Sequence, residues 1–418
     1  MTFPGHPERS EGSAVPGHPE RSEGSAVAQF SEAIAARLIS LRREIHQNPE
    51  LSFREEQTAQ RLLAALRDLG ISAATRVANT GVLARVRGRR SDAPLVAVRG
   101  DIDALPIQEA TGLPFASTSP GVMHACGHDV HASCAVGAAA LLAANPAEGD
   151  VLIVLQPAEE TGKGAVAFLE TGALDNVRAI FGGHVDRRFE VGQVVADEGP
   201  LAASADTFEI EVLGGGAHAA RPHESHDPIV GAAAIVSALQ SIVSRRLNPA
   251  TPGVVTIGTI NAGSAPNVIP DRAVLTGTVR AVEPVSRALM LDEVRSIAAA
   301  VASGYGVTAR VTLDMGTPPI VNPSGATAWA RRAATSVVGS DNVVPLGFLN
   351  LAGEDFAHYM ERIPGCFLRI GAREPGGPVI PAHSPAFYPA EASLFVGASV
   401  LAECARVASA ALASGSSA

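Results

Sequence analysis

The chain has 418 residues, of which 46% are hydrophobic and 18% charged. At about 150 residues per domain this leaves room for two or three packed domains and excludes wholesale disorder. The 32 basic residues against 42 acidic ones give a formal net charge of -10, which argues against a nucleic-acid binder held by phosphate contacts.

Residues 4–15 read PGHPERSEGSAV, and residues 16–27 repeat them letter for letter. Two copies of so short a unit cannot stack into a solenoid. The Pro, Gly, Ser and Glu content predicts a disordered tail over residues 1–27, or an upstream start codon read through a repeat. The tail has no basic stretch followed by an apolar core, so it is a poor signal peptide. His6 and His18 are read as tail residues rather than metal ligands.

Apolar residues then fall at helical spacing: Ile34, Leu38, Leu41 and Ile45, followed by Leu62, Leu66 and Leu69. Asn48-Pro49 separates the two helices. Residues 82–86, 95–98 and 151–155 read as strands, with a small-residue helix over 132–144. Residues 179–183 and 193–196 continue the strand pattern. Strands separated by helices predict an α/β layered domain.

Near Ser204 the pattern changes. Phe208, Ile210 and Val212 alternate with Glu209 and Glu211. A helix (228–245), two strands (254–261 and 274–282), a helix (285–303) and a strand (307–313) follow. This β-α-β-β-α-β order is ferredoxin-like. Pro318-Pro319 is the expected hinge. Helices over 325–338 and 354–363, a strand over 366–370 and a helix over 391–412 complete the chain. The simplest division is a catalytic α/β domain in two parts (28–203 and 315–418) interrupted by an insertion (204–314).

Reactive residue types gather just after predicted strands, where α/β sheets bind ligands. Cys126, His128, Glu160, His184 and His383 offer a thiolate, three imidazoles and a carboxylate. That donor set suits zinc, manganese or another first-row divalent ion. Glu159 beside Glu160 is then free as a general base toward a water acidified by the metal. Asp103 is positioned to orient a ligand or to hold charge between two ions. Each residue taken singly has an ordinary structural reading, such as a turn cap for Asp103 or a solvated pair for Glu159-Glu160. A structural zinc site lacks a second Cys/His pair, and Cys126 as a nucleophile is a weaker reading. The convergence of these signals at successive strand ends favours a metal centre. Four cysteines (Cys126, Cys134, Cys366 and Cys404) are no disulfide framework. They point to a reducing, cytoplasmic setting. No uninterrupted apolar stretch approaches about 20 residues, so no membrane span is expected.

The runs RGDIDALPIQE (99–109), MHACGHDVHAS (123–133), QPAEETGKGA (156–165), GGGAHAARPHESHDPI (214–229), GSAPNVIPD (263–271), GTVR (277–280), AGEDF (352–356) and AHSPAF (382–387) occur in this order. Together they resemble the metallo-amidohydrolases related to hippurate hydrolase, N-acyl-amino-acid amidohydrolase and plant auxin-conjugate hydrolases, within the aminoacylase and carboxypeptidase G-like metallopeptidases. The resemblance spans residues 30 to 410. It implies a metallopeptidase-type α/β domain with an inserted lid and dimerisation domain. It implies metal ligands at Cys126, His128, Glu160, His184 and His383, holding two divalent ions (Zn²⁺ or Mn²⁺, with Co²⁺ or Ni²⁺ as alternatives). Glu159 would be the general base and then the acid. Asp103 takes the catalytic-Asp place. Asp101 stands where the wider group has a ligand His, and Cys126 stands in for a bridging carboxylate. His218 would stabilise the oxyanion, in this subunit's site or a partner's. Asn267 and Arg280 would hold the substrate carboxylate. The implied activity is hydrolysis of an N-acyl amino acid, a small-molecule substrate, by a cytoplasmic homodimer. The alternatives are a metal-dependent dipeptidase or carboxypeptidase and a non-catalytic metal- or ligand-binding protein.

Overall fold

The computed structural model describes residues 30–415; the repeat over 1–27, with His6 and His18, lies outside them. Helix α1 (Glu32–Gln47) starts where Ser31 Oγ accepts the amide of Ile34, an N-cap that satisfies an otherwise orphan donor. It buries Leu38, Leu41 and Ile45 and ends at Asn48, before Pro49. Helix α2 (Glu56–Asp68) buries Leu62, Leu63 and Leu66. The hairpin β1 (Ala74–Val77) and β2 (Gly81–Val86) precedes β3 (Leu95–Asp101), α3 (His128–Ala144), β4 (Val151–Gln156), α4 (Gly164–Glu170), β5 (Val177–Glu190), β6 (Val194–Val195) and β7 (Gly199–Ala202).

Next come β8 (Ala205–Leu213), β9 (Ala217–His218), α5 (Pro228–Leu239), β10 (Gly253–Ala262), β11 (Val268–Ile269), β12 (Arg272–Ala281), α6 (Pro284–Gly304) and β13 (Thr308–Thr317). The chain closes with β14 (Ile320–Asn322), α7 (Ser324–Val338), α8 (Phe356–Met360), β15 (Gly365–Arg373) and α9 (Ala392–Ala413).

The large sheet has the order β1-β2-β4-β3-β5-β15-β6. Its four central strands are mutually parallel, while β2 and β6 flank them antiparallel and β1 pairs antiparallel with β2 at the edge. Side-chain alternation sends Val96 and Val98 to one face and Ala97 to the other. The first face packs against α1, α2, α3, α7 and α9. The second packs against α4, α8, β7 and β14. The smaller sheet has the order β10-β12-β8-β13, fully antiparallel. Helices α5 and α6 close it over a core that includes Phe208, Ile235, Leu275 and Val294. This is the ferredoxin-like order expected for the segment after Ser204. The two layers are joined by the β7–β14 ladder, in which Ile320 pairs with Ala202.

Several boundaries differ from the sequence reading. Helix α3 begins at His128 rather than at residue 132, because Gly127 turns the chain in the left-handed region (φ 95°) and the first helical turn is polar. Strand β5 runs on to Glu190, past His184, through a charged stretch. Helix α8 is a short piece within the expected 354–363. Among the described residues two helical stretches, Pro228–Arg246 and Ala392–Ala413, are long and apolar enough to cross a membrane by composition, although polar residues interrupt the apolar run in each. Alanine and serine dilute the pattern in both. Helix α9 packs against α3 and α7 in the core.

Candidate metal centre

The site forms where β3, β4 and β5 deliver polar residues to one end of the large sheet. The loop before α3 adds Cys126, the first residue of α3 adds His128, and the loop before α9 adds His383. Gly127 is required between Cys126 and His128. Its φ is positive, and a Cβ there would fall 2.4 Å from Cγ2 of Val185. Ala158 (φ 55°) turns the chain after β4 so that Glu159 and Glu160 face inward, and its amide donates to Oε1 of the buried Glu55 at 2.9 Å. His383 also has a positive φ (65°) and is pinned by its amide on Ala125 O at 2.8 Å. Strained backbone of this kind persists where surrounding structure over-determines it.

The donor atoms form overlapping groups, each with its atoms within 4.8 Å of one another. One is Cys126, His128 and His184; a second is Cys126, Glu160 and His383. Cys126 belongs to both. Its Sγ lies 3.1 Å from Nε2 of His184. His128 Nε2 is 3.8 Å from carboxylate oxygens of Asp101, Glu159 and Glu160. His383 Nε2 is 3.5 Å from Glu160. His128 Nε2 and Glu160 Oε1 are buried and lack a hydrogen-bond partner.

Supporting contacts fix the donors. Nδ1 of His128 meets both the carbonyl and Oδ1 of Asp103, at 2.9 and 3.1 Å. Asp103 Oδ2 in turn accepts from Ser52 Oγ (2.7 Å) and the Glu160 amide (3.0 Å). His184 Nδ1 is 2.7 Å from the carbonyl of Val185. His131 bridges Asp101 and the Val185 amide, at 2.7 and 2.8 Å. Asp101, at the position of the wider group's ligand His, is thus engaged by His131 and Arg99. Arg99, almost fully buried, also reaches Gln156, Glu354 and Asp355. Glu159 Oε1 accepts the Asp355 amide at 3.4 Å.

Six carboxylates therefore converge here: Asp101, Asp103, Glu159, Glu160, Glu354 and Asp355. Arg99 is the one arginine paired among them. Burial, then Asp103 and Asp101, push Glu160 up to about 7. Burial, Glu354, Asp355 and Glu160 raise Glu159 well above the usual carboxylate range. Burial and Glu160 push the Cys126 thiol up. The excess of anionic donors and the unpartnered His128 Nε2 are what a cation would satisfy.

A second buried cluster lies beneath this floor. Asp129 pairs with Arg42 Nε (2.7 Å) and His46 Nδ1 (2.9 Å), and His46 Nε2 is 3.2 Å from Glu109. Burial opposes charge on His46, but Asp129 and Glu109 outweigh it and raise it to about 9.

A cavity of about 670 Å³ opens over the donors. It is lined by Cys126, Glu159, Glu160, His184 and His383, and by Arg280 from β12. His128 and Asp103 are buried behind it. His218 and Asn267 are not brought to this cavity. They sit on the exposed side of the smaller layer, where His218 pairs with Val268 and Asn267 O accepts from the Ala219 amide. Sequence reasoning missed Ser52, Glu55 and Arg369, and saw His131 only as part of the 123–133 run. Arg99 and Glu354-Asp355 were visible only as parts of the 99–109 and 352–356 runs.

Residues 97–407 match Peptidase family M20/M25/M40. The chain is 42% identical over 338 residues to N-acetyl-L-cysteine deacetylase of Bacillus subtilis (strain 168), covering 80% of each protein. It is 39% identical to IAA-amino acid hydrolase ILR1-like 5 of Arabidopsis thaliana, covering 88% of this chain and 86% of that protein. A solved Bacillus subtilis structure, described as a dinuclear metal binding peptidase from the M20 family, superposes with a TM-score of 0.80 at 38% identity, covering 90% of this chain and 99% of that one. With most of the chain inside the match, the protein belongs to the M20/M25/M40 peptidase family.

Proposed function

We propose that this protein is a metal-dependent amidohydrolase that cleaves N-acyl amino acids to a carboxylic acid and a free amino acid. The observation that carries the reading is the pair of donor triads sharing Cys126, with Glu159 beside them and in neither. The relatives named as an N-acetyl-L-cysteine deacetylase and an IAA-amino acid hydrolase support the substrate class.

Cys126, His128, Glu160, His184 and His383 would hold two divalent ions. The anionic excess and the orphaned His128 Nε2 and Glu160 Oε1 fit that occupancy. Thiolate and imidazole donors favour Zn²⁺, with Mn²⁺, Co²⁺ and Ni²⁺ as alternatives. The ions, when bound, supply Lewis-acid polarisation of the acyl carbonyl and make water a stronger acid. Asp103 holds the His128 ring with Nδ1 protonated. Glu159 takes the proton of the attacking water and passes it to the leaving amine nitrogen. Its raised proton affinity suits both halves of that transfer.

Arg280 receives the substrate α-carboxylate from the cavity's far wall. His218 and Asn267 complete the site across a homodimer formed through residues 204–314, which also act as a lid over the catalytic parts 28–203 and 315–418. Closure would exclude water from the reacting atoms. Four free, buried cysteines suit a cytoplasmic location.

The test is amino-acid release from N-acetyl, N-benzoyl and indole-acetyl amino acids and from dipeptides, with each metal added to apo protein. Metal-dependent release from the acylated compounds, lost in Glu159→Gln, is expected. Release only from dipeptides would make the enzyme a dipeptidase. No release from a folded, metal-loaded protein would overturn the catalytic reading.

A further inference from the structure

Arg369 places a positive charge in the cavity wall that the proposed hydrolysis does not use. It lies on β15, in parallel register with His184, and only 5% of the residue is exposed. Its Nε is buried without a hydrogen-bond partner. Asp186, Glu354 and the Cys126 thiol are its anionic neighbours, but none of them hydrogen-bonds it, and both carboxylates are engaged by other arginines. Asp186 accepts from both Nε (3.0 Å) and Nη2 (2.8 Å) of Arg188. Glu354 lies 3.1 Å from Arg99. The Phe367 ring centroid is 5.8 Å from Arg369 Cζ, at the outer limit of a cation–π contact. A buried guanidinium without an anion is strongly unfavourable, and buried polar groups are nearly always paired.

The one direction left open to Arg369 is the cavity, which it lines together with Glu159, His184 and Arg280. Four arginines line this volume, but Arg187 is paired with Glu374 and Arg188 with Asp186, which leaves Arg280 from the smaller layer and Arg369 from the large sheet to face the substrate. A simple N-acyl amino acid carries a single carboxylate. Resting on the amidohydrolase reading, in which Arg280 takes that carboxylate, we infer that Arg369 is a specificity-determining residue for a second carboxylate on the acyl group. The preferred substrate class is the monoamide of a short dicarboxylic acid with an amino acid. The acyl chain is short because Arg369 is the strand neighbour of His184. A planar fork of donors also matches carboxylate geometry better than a neutral amide.

The experiment uses metal-loaded enzyme and three probes: N-succinyl-methionine, its neutral isostere with a terminal amide, and N-acetyl-methionine. Wild type is expected to favour the succinyl compound over the amide isostere in kcat/KM by roughly 30-fold or more. Arg369→Met should bring that ratio close to unity, and Arg369→Lys should retain part of it. Calorimetric binding of N-succinyl-methionine to Glu159→Gln should weaken by a comparable factor when Arg369→Met is added. Equal turnover of succinyl and amide probes by wild type overturns the proposal. So does a ratio that Arg369→Met leaves unchanged. In either case, turnover of N-acetyl-methionine leaves the amidohydrolase reading standing. If no probe is turned over, that reading fails, and binding then decides. Arg369-dependent binding of the succinyl probe supports the subsite, and Arg369-independent binding overturns it.

Discussion

Nδ1 of His128 is held between the backbone carbonyl and the Oδ1 atom of Asp103, at 2.9 and 3.1 Å. Two acceptors on one nitrogen fix that nitrogen as the protonated one and turn Nε2 toward Glu159 and Glu160. Asp103→Ala is therefore expected to weaken metal binding by about 10- to 100-fold. Competition against a fluorescent chelator measures it, and an unchanged affinity would show that His128 needs no such support.

Glu159 lines the cavity beside Glu160 and belongs to neither Cys126 triad. Glu159→Gln should keep its metal content while kcat falls by about 10²-fold or more. Metal analysis and turnover on the same preparation separate the two effects. Turnover near wild type would remove Glu159 from proton transfer.

Arg99 is the one arginine paired within a ring of acids. Arg99→Met would leave Asp101, Glu354 and Asp355 without their shared cation. Burial and Glu354 already push Asp355 up to about 7. Removing one partner of a buried pair costs about 3–5 kcal/mol, readable as a lower urea midpoint at constant slope. A midpoint within error of wild type would mean the acids relax by protonation or through a bound cation.

The His46 cluster predicts a pH dependence away from the cavity. Its folded value, about 9, lies above the ordinary 6.5. The folded state thus binds the extra proton, and the stabilisation is complete below about pH 6.5. It is lost as pH rises through about 9, by on the order of 3 kcal/mol. Unfolding curves from pH 6 to 10 should fall more steeply for wild type than for His46→Gln. Parallel curves would show that His46 is neutral in the fold.

Much of the fold was legible because its signals are local. The alternation of Phe208, Ile210 and Val212 and the stripe of Leu38, Leu41 and Ile45 are periodicities that burial then honours. The candidate donors were legible because Glu160 follows an apolar strand, His184 ends the apolar part of another, and Cys126 and His128 open a helix. What escaped depends on tertiary burial. Nothing in the sequence around Arg369 marks it as buried, and β5 beyond His184 reads as a charged loop. Ser52 and Glu55 lie far along the chain from the loops they brace. The start of α3 was hidden because its first turn spends its side chains on the site rather than on amphipathic packing. His218 and Asn267 carry a motif whose setting lies outside the cavity of one chain.

Ala202 and Ile320 face each other in the β7–β14 ladder. The polypeptide therefore departs from the large-sheet layer and rejoins it at a single stitched point. The closure cost of such an excursion grows only with the logarithm of its length. Whatever lies beyond the stitch can lengthen, shorten or change its surface without rerouting the strands that carry the donors. The smaller layer is in this sense a cassette. Through Arg280 it contributes one wall of the cavity, so evolution can retune substrate preference by editing the cassette while the bond-breaking apparatus stays as it is.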